Sequence, residues 1–183
     1  MIKRRQIVKS RLKNDGGFTL IEVISVLVIL GILVAVAVIR LTNFNTEVYT
    51  GTDALKAHLR YAQTQAMNEN PNMGSETIVG INYDSGANQY WMFQGTNTTI
   101  VRFLPDDAKY MTSDHKINLT AKKITLNGGG FPIYFDSHGI PYTAYTSSTV
   151  NTPLANGLTI VVASLSGSFS SSLTITPLTG FIP

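Results

Sequence analysis

Gly16-Gly17-Phe18-Thr19-Leu20-Ile21-Glu22-Val23 opens an apolar run that ends at Ile39 and, Glu22 apart, carries no charge. From Phe18 to Ile39 there are 22 residues. As a helix rising about 1.5 Å per residue they span roughly 33 Å, slightly more than the roughly 30 Å hydrocarbon core of a bilayer. The segment is long enough to cross a membrane once. Upstream, Lys3, Arg4, Arg5, Lys9, Arg11 and Lys13 stand against Asp15 alone, a net charge of +5. The positive-inside rule holds that end in the cytoplasm, so the chain after Arg40 is expected on the far side.

The same residues, Gly17-Phe18 after a basic leader and Glu22 just inside an apolar run, resemble the processing site of the type IV pilin and type II secretion pseudopilin superfamily. In that family a prepilin peptidase cuts after the glycine that matches Gly17 and methylates the new N-terminus, here Phe18. The resemblance implies an assembly subunit. Its expected partners are prepilin peptidase, other pilins or pseudopilins, the inner-membrane assembly machinery and membrane lipid. It also implies a single-pass protein of the inner membrane with its C-terminal domain in the periplasm.

Glu22 is the residue out of place. A carboxylate inside a membrane segment costs a few kcal/mol near the helix centre and marks a functional contact. Cleavage before Phe18 creates an α-ammonium one helical turn away. In a filament, the ammonium of a neighbouring subunit pairing with Glu22 inside the apolar bundle would set the axial register.

Two plainer readings compete. One is a secretory signal peptide, with Val23 to Val34 as its apolar region and Ala35-Val36-Ala37 as its cleavage site. The other is a signal anchor that is never cut. Neither needs the paired glycines, the aromatic at position 18, or a carboxylate at the mouth of the apolar segment.

Removing the leader's charges leaves eight Lys and Arg against ten Asp and Glu, a net of −2, so the basic pI of the whole chain reflects the leader. The mature bulk charge gives no support for nucleic acid as a partner. About 140 residues follow Arg40, enough for one domain with a sizeable core. With no cysteine, that domain cannot hold the C-terminal disulfide loop of many major type IV pilins, and the resemblance shifts toward a minor pilin or pseudopilin.

Leu41 to Thr52, rich in Asn and Thr, reads as a weak helix or bend. Helix is expected from Asp53 to Asn70, with Leu55, Leu59, Ala62 and Ala66 as an apolar stripe, Thr52 or Asp53 as N-cap and Pro71 as stop. Strands are expected at 78–81, 90–93, 100–103, 133–135, 158–165 and 173–175, with turns at 84–88, 136–139 and 166–167. The expected class is α+β: a long N-terminal helix, membrane-spanning in its first half, packed on an antiparallel β-sandwich. The expected divisions are a basic leader (1–17), a transmembrane and assembly helix (18–40), a polar connector with an amphipathic helix (41–71) and a β-rich periplasmic domain (72–183).

Within the superfamily, the helix Leu55 to Met67 with its Leu59-Arg60-Tyr61-Ala62, the turn Phe135-Asp136-Ser137-His138-Gly139, and the ending Thr174 to Gly180 resemble the pseudopilin H and FimT-type minor pilin group. Some FimT-type proteins are thought to take up DNA through arginines flanking the terminal glycine. Here Gly180 is followed by Phe181-Ile182-Pro183. Lys116, Lys122 and Lys123 form a short basic stretch preceded by Asp106, Asp107 and Asp114, which reads as a solvated loop. His58, His115 and His138 fall in no metal-ligand spacing. Asp136 with His138 is read as turn chemistry rather than an acid–base pair, and Gly128-Gly129-Gly130 as a loop. No enzyme, cofactor or metal is expected.

Overall fold

In a computed structural model, residues 17–42, 46–69, 78–105, 108–127 and 130–183 are described, residues 38–42 by their backbone only. The chain divides into two units, Met1–Phe44 and Asn45–Pro183. The Pro71 stop expected from sequence lies outside the described residues.

The first unit holds α1 (Leu20–Thr42). Thr19 caps it: its hydroxyl oxygen accepts the Glu22 amide at 3.3 Å, and its carbonyl accepts the amides of Glu22 and Val23 at 3.1 and 3.2 Å. Ser25 returns its hydroxyl to the Ile21 carbonyl at 2.7 Å, so the one hydroxyl inside the span is satisfied within the helix.

The second unit opens with α2 (Thr46–Asn68). Helix therefore begins well before Asp53, and Thr52 and Asp53 lie inside it rather than capping it. Tertiary packing overrides the weak propensity of this stretch. Val48, Gly51 and Thr52 are buried, and a Cβ at Gly51 would run into Ile124 Cδ1. The hydroxyls of Thr50 and Thr52 each donate to the carbonyl four residues back at 2.7 Å, which removes their competition with the helix.

Ten strands follow among the described residues: β1 (Val79–Asp84), β2 (Gln89–Gln94), β3 (Val101–Arg102), β4 (Ile117–Asn118), β5 (Ile124–Asn127), β6 (Ile133–Phe135), β7 (Pro141–Tyr145), β8 (Asn151–Pro153), β9 (Leu158–Ser164) and β10 (Ser170–Ile175). One sheet runs β3-β2-β1-β6-β7-β8 with β4 also on β2; the other runs β10-β9-β5. The pairings are antiparallel, and the class is the expected α+β with an apolar N-terminal helix followed by antiparallel sheets. The strand expected at 100–103 shrinks to two residues.

Period-2 alternation divides the larger sheet between two cores. Tyr90, Met92, Ile133 and Phe135 join Leu55, Leu59, Ala62 and Ala66 of α2 and Ile160, Val162, Leu173 and Ile175 of the smaller sheet in one buried cluster. α2 thus covers both sheets with the stripe read from its sequence. Trp91, Phe93, Tyr134 and Tyr142 point the other way into a second, mostly aromatic cluster. Gly80 lies beneath it, where a Cβ would strike the Ile133 carbonyl and the Phe93 ring.

Candidate functional site

The processing segment leads into α1. Gly17 precedes the helix, and a Cβ built on it meets nothing within 4 Å. Phe18 is 82% exposed, and Glu22 lies in the first helical turn. Thr19 and Glu22 stand in capping-box spacing, and the positive end of the helix dipole favours a carboxylate there. Of the two reciprocal bonds of such a box, the structure shows the one from the Glu22 amide to the Thr19 hydroxyl, and the Thr19-x-x-Glu22 spacing that signals it was not used in the sequence reading. Leu20–Ala37 has a mean hydropathy of 3.0, and none of it is buried. Such a surface requires a membrane or other apolar helices to cover it. Ala35-Val36-Ala37, the rival cleavage site, lies inside continuous helix.

A second constellation joins the three later motifs. Gln63 Nε2 donates to the carbonyls of Gly139 and Thr179 at 2.9 and 3.0 Å. One turn earlier, Arg60 donates from Nε and Nη2 to the Ile182 carbonyl at 3.2 and 2.6 Å. The amphipathic helix, the Phe-Asp-x-x-Gly turn and the chain end are thereby fastened together. Asp136 Oδ1 accepts the amides of His138 and Ile140, both at 2.9 Å, and Oδ2 accepts the Tyr142 hydroxyl at 2.9 Å. Burial, with the hydrogen bond from Tyr142 to Asp136 and the carboxylate's charge, pushes the Tyr142 hydroxyl up to about 12. His138 is 78% exposed on its side chain, with Nδ1 3.8 Å from Asp136 Oδ2. Asp136 spends its oxygens on building the turn.

Gly180 closes this joint at φ 62°, and a Cβ there would collide with Gln63 Nε2 and the Gly139 carbonyl. Gly180→Val combines the strained backbone with that collision, and we expect a loss of about 2–3 kcal/mol of stability. Thermal unfolding of the detergent-solubilised chain checks this; an unchanged midpoint would mean that the joint yields freely.

The basic stretch does not form one patch. Lys116 Nζ sits 4.4 Å from the Trp91 ring centroid, and Lys122 and Lys109 lie 5.0 and 5.1 Å from that of Tyr110. Lys123 instead lines a groove with Glu47. His58 is buried: its Nε2 donates to the Pro105 carbonyl at 3.1 Å, and its Nδ1 shares a hydrogen bond of 2.7 Å with the Tyr90 hydroxyl. Burial raises the Tyr90 hydroxyl far above its ordinary value. The His115 ring meets that of Phe103 edge-on, with centroids 5.9 Å apart. Among the described residues, no group of three or more His, Cys, Asp or Glu is placed to hold a metal ion.

Residues 12–38 match the family model described as the prokaryotic N-terminal methylation motif. No curated protein and no solved structure matches the chain at a significant level. The matched segment contains Gly17, Phe18 and Glu22 and runs to within a few residues of the end of α1. With a helix apolar enough to anchor it in a membrane, the chain carries the N-terminal signature of a type IV pilin-like prepilin.

Proposed function

We propose that the protein is a minor pilin or pseudopilin of the pseudopilin H and FimT-type group, a structural subunit of a type II secretion pseudopilus or a type IV pilus. The observation that carries this is the methylation motif, which sets Gly17-Phe18 directly ahead of an uncovered apolar helix. Prepilin peptidase removes residues 1–17 and methylates Phe18. The subunit waits in the inner membrane with its N-terminus cytoplasmic and its β-rich domain periplasmic. It then joins a filament through α1, where Glu22 meets a neighbour's methylated amine. The role is structural rather than enzymatic. Support for the subgroup comes from its motif positions Arg60, Gly139 and Gly180 meeting at one joint around Gln63, which stands where the group's helix pattern has arginine. Expression with and without prepilin peptidase is the test. Enzyme-dependent shortening and recovery in sheared filaments support the reading; a chain of one length in both hosts overturns it.

DNA capture, the FimT-like alternative, has less to stand on. The three residues after Gly180 include no arginine, Ile182 is buried, and its carbonyl is taken by Arg60. Lys116 and Lys122 sit over the protein's own rings. A soluble truncation must begin at Thr46, because a start near Thr52 deletes the buried Val48 and Gly51. We expect that truncated chain to be monomeric and to shift duplex DNA only above about 100 μM at physiological salt, the weak end of non-specific binding. Micromolar binding lost on replacing Lys116, Lys122 and Lys123 would favour DNA capture.

A further inference from the structure

One end of the globular unit gathers an exposed aromatic and aliphatic surface around a lysine. The Tyr49 ring packs against Phe169 with centroids 5.3 Å apart. The Leu165 amide donates to the Lys123 carbonyl at 3.0 Å, which ties the β9–β10 hairpin to the turn before β5. Tyr49 and Leu165 are 56% and 51% exposed, and the Lys123 side chain is exposed. Glu47, Lys123, Leu165 and Ser166 border a shallow groove of about 340 Å³.

The chain itself brings this end close to the membrane. Tyr49 lies in the first turn of α2, which starts at Thr46, and only residues 43–45 separate that start from Thr42, the last residue of α1. Fully extended, that connection reaches at most roughly 15 Å. α1 continues only three residues past Ile39, about 5 Å of helix beyond the apolar segment. The end of the domain that bears Tyr49 is therefore tethered within a short reach of the headgroup region. Its chemistry suits that layer: a tyrosine with one apolar and one wet end, apolar side chains beside it, and an ammonium able to meet lipid phosphate. Glu47 beside Lys123 offsets the positive charge, so apolar insertion carries the contact rather than net charge.

We propose that this end is a bilayer-contacting face. Tyr49 and Leu165 enter the headgroup–acyl boundary, backed by the half-buried Phe169, and Lys123 meets a phospholipid phosphate, which holds the globular unit down on the membrane while the subunit awaits assembly. The proposal rests on the membrane-anchored reading of α1.

Because the natural chain has no cysteine, single substitutions give unique labelling sites. The full-length variants Leu165→Cys, Leu178→Cys and Leu27→Cys, each carrying an environment-sensitive fluorophore, are reconstituted into phosphatidylethanolamine–phosphatidylglycerol vesicles. Some vesicles contain lipid with a nitroxide just below the headgroup. Leu178 is 71% exposed and neighbours Thr179, which is held by Gln63. Gln63 lies fourteen residues, about 21 Å of helix, beyond Tyr49, which makes Leu178 an apolar control remote from the face. We expect the probe at 165 to be quenched about threefold more than the probe at 178, a difference that persists in high salt because apolar insertion dominates. Adding Tyr49→Ser should bring it toward the level at 178. Equal quenching at 165 and 178 while the probe at 27 is strongly quenched overturns this proposal alone. An unquenched probe at 27 removes the membrane anchor and this proposal with it. Shielding of 165 only in assembled filaments, and not in vesicles, would assign the face to a neighbouring subunit and also overturn it.

Discussion

Gly17→Leu is expected to leave the protein as a full-length precursor in the membrane fraction, with cleavage slowed by about a hundredfold or more. A peptidase site shaped for a residue without a side chain loses roughly 3 kcal/mol of transition-state fit when a branched one must enter. The structure makes this a clean experiment. Gly17 precedes α1 and has open space around it, so the substitution disturbs neither the helix nor the globular unit. A processing defect then reports on recognition by the enzyme rather than on folding. Gly17→Ala should be cut at an intermediate rate. Immunoblotting of membranes from a host with prepilin peptidase checks the series, and normal processing of the leucine variant would show that cleavage occurs elsewhere. The uncut variant also retains the leader with its six basic residues and has no ammonium at Phe18, so it should fail to assemble.

Glu22→Val should insert in the membrane and be cut normally, yet enter filaments on the order of a hundredfold less than the native chain, as expected when one partner of a buried charge pair is removed. Its place in the first turn of α1 offers a local alternative, because a carboxylate three residues after Thr19 has capping-box spacing and lies at the positive end of the helix dipole. That role is worth only about 1 kcal/mol. Glu22→Gln separates the two, since glutamine serves a capping box and carries no charge. If Glu22 pairs with a neighbour's amine, glutamine fails nearly as badly as valine in sheared-filament recovery. Rescue by glutamine would reduce Glu22 to a cap residue, and failed membrane insertion of the valine variant would contradict both roles.

The N-terminal signal was legible because it is linear: Gly17, Phe18, Glu22 and the apolar run act through their order along the chain and need no tertiary partner. The α2 stripe of Leu55, Leu59, Ala62 and Ala66 was legible for a similar reason, since helical period alone puts those residues on one face. Its start was not. Thr50, Gly51 and Thr52 have poor helix propensity, and only the close approach of Ile124 explains why glycine stands in a buried turn of helix. β7 and β8 were hidden by Pro141 and Pro153, which weaken any strand reading, although the first position of a strand tolerates Pro141 and the edge strand β8 tolerates Pro153. β4 and β5 are short and follow polar, lysine-bearing loops. The joint at Gln63 was beyond reach, because it ties residues 76 and 116 positions apart through carbonyls that carry no sequence signature. Likewise Lys109 was not grouped with Lys122 until Tyr110 was seen between them.

The most direct test of the account is the intact mass of the protein purified from membranes of a host that has prepilin peptidase. The predicted species begins at Phe18 and carries one methyl group on its terminal amine. A chain starting at Val38, after Ala37, would mean that a secretory signal peptide had been removed, and a chain retaining its leader would mean an uncut anchor; either result contradicts the account.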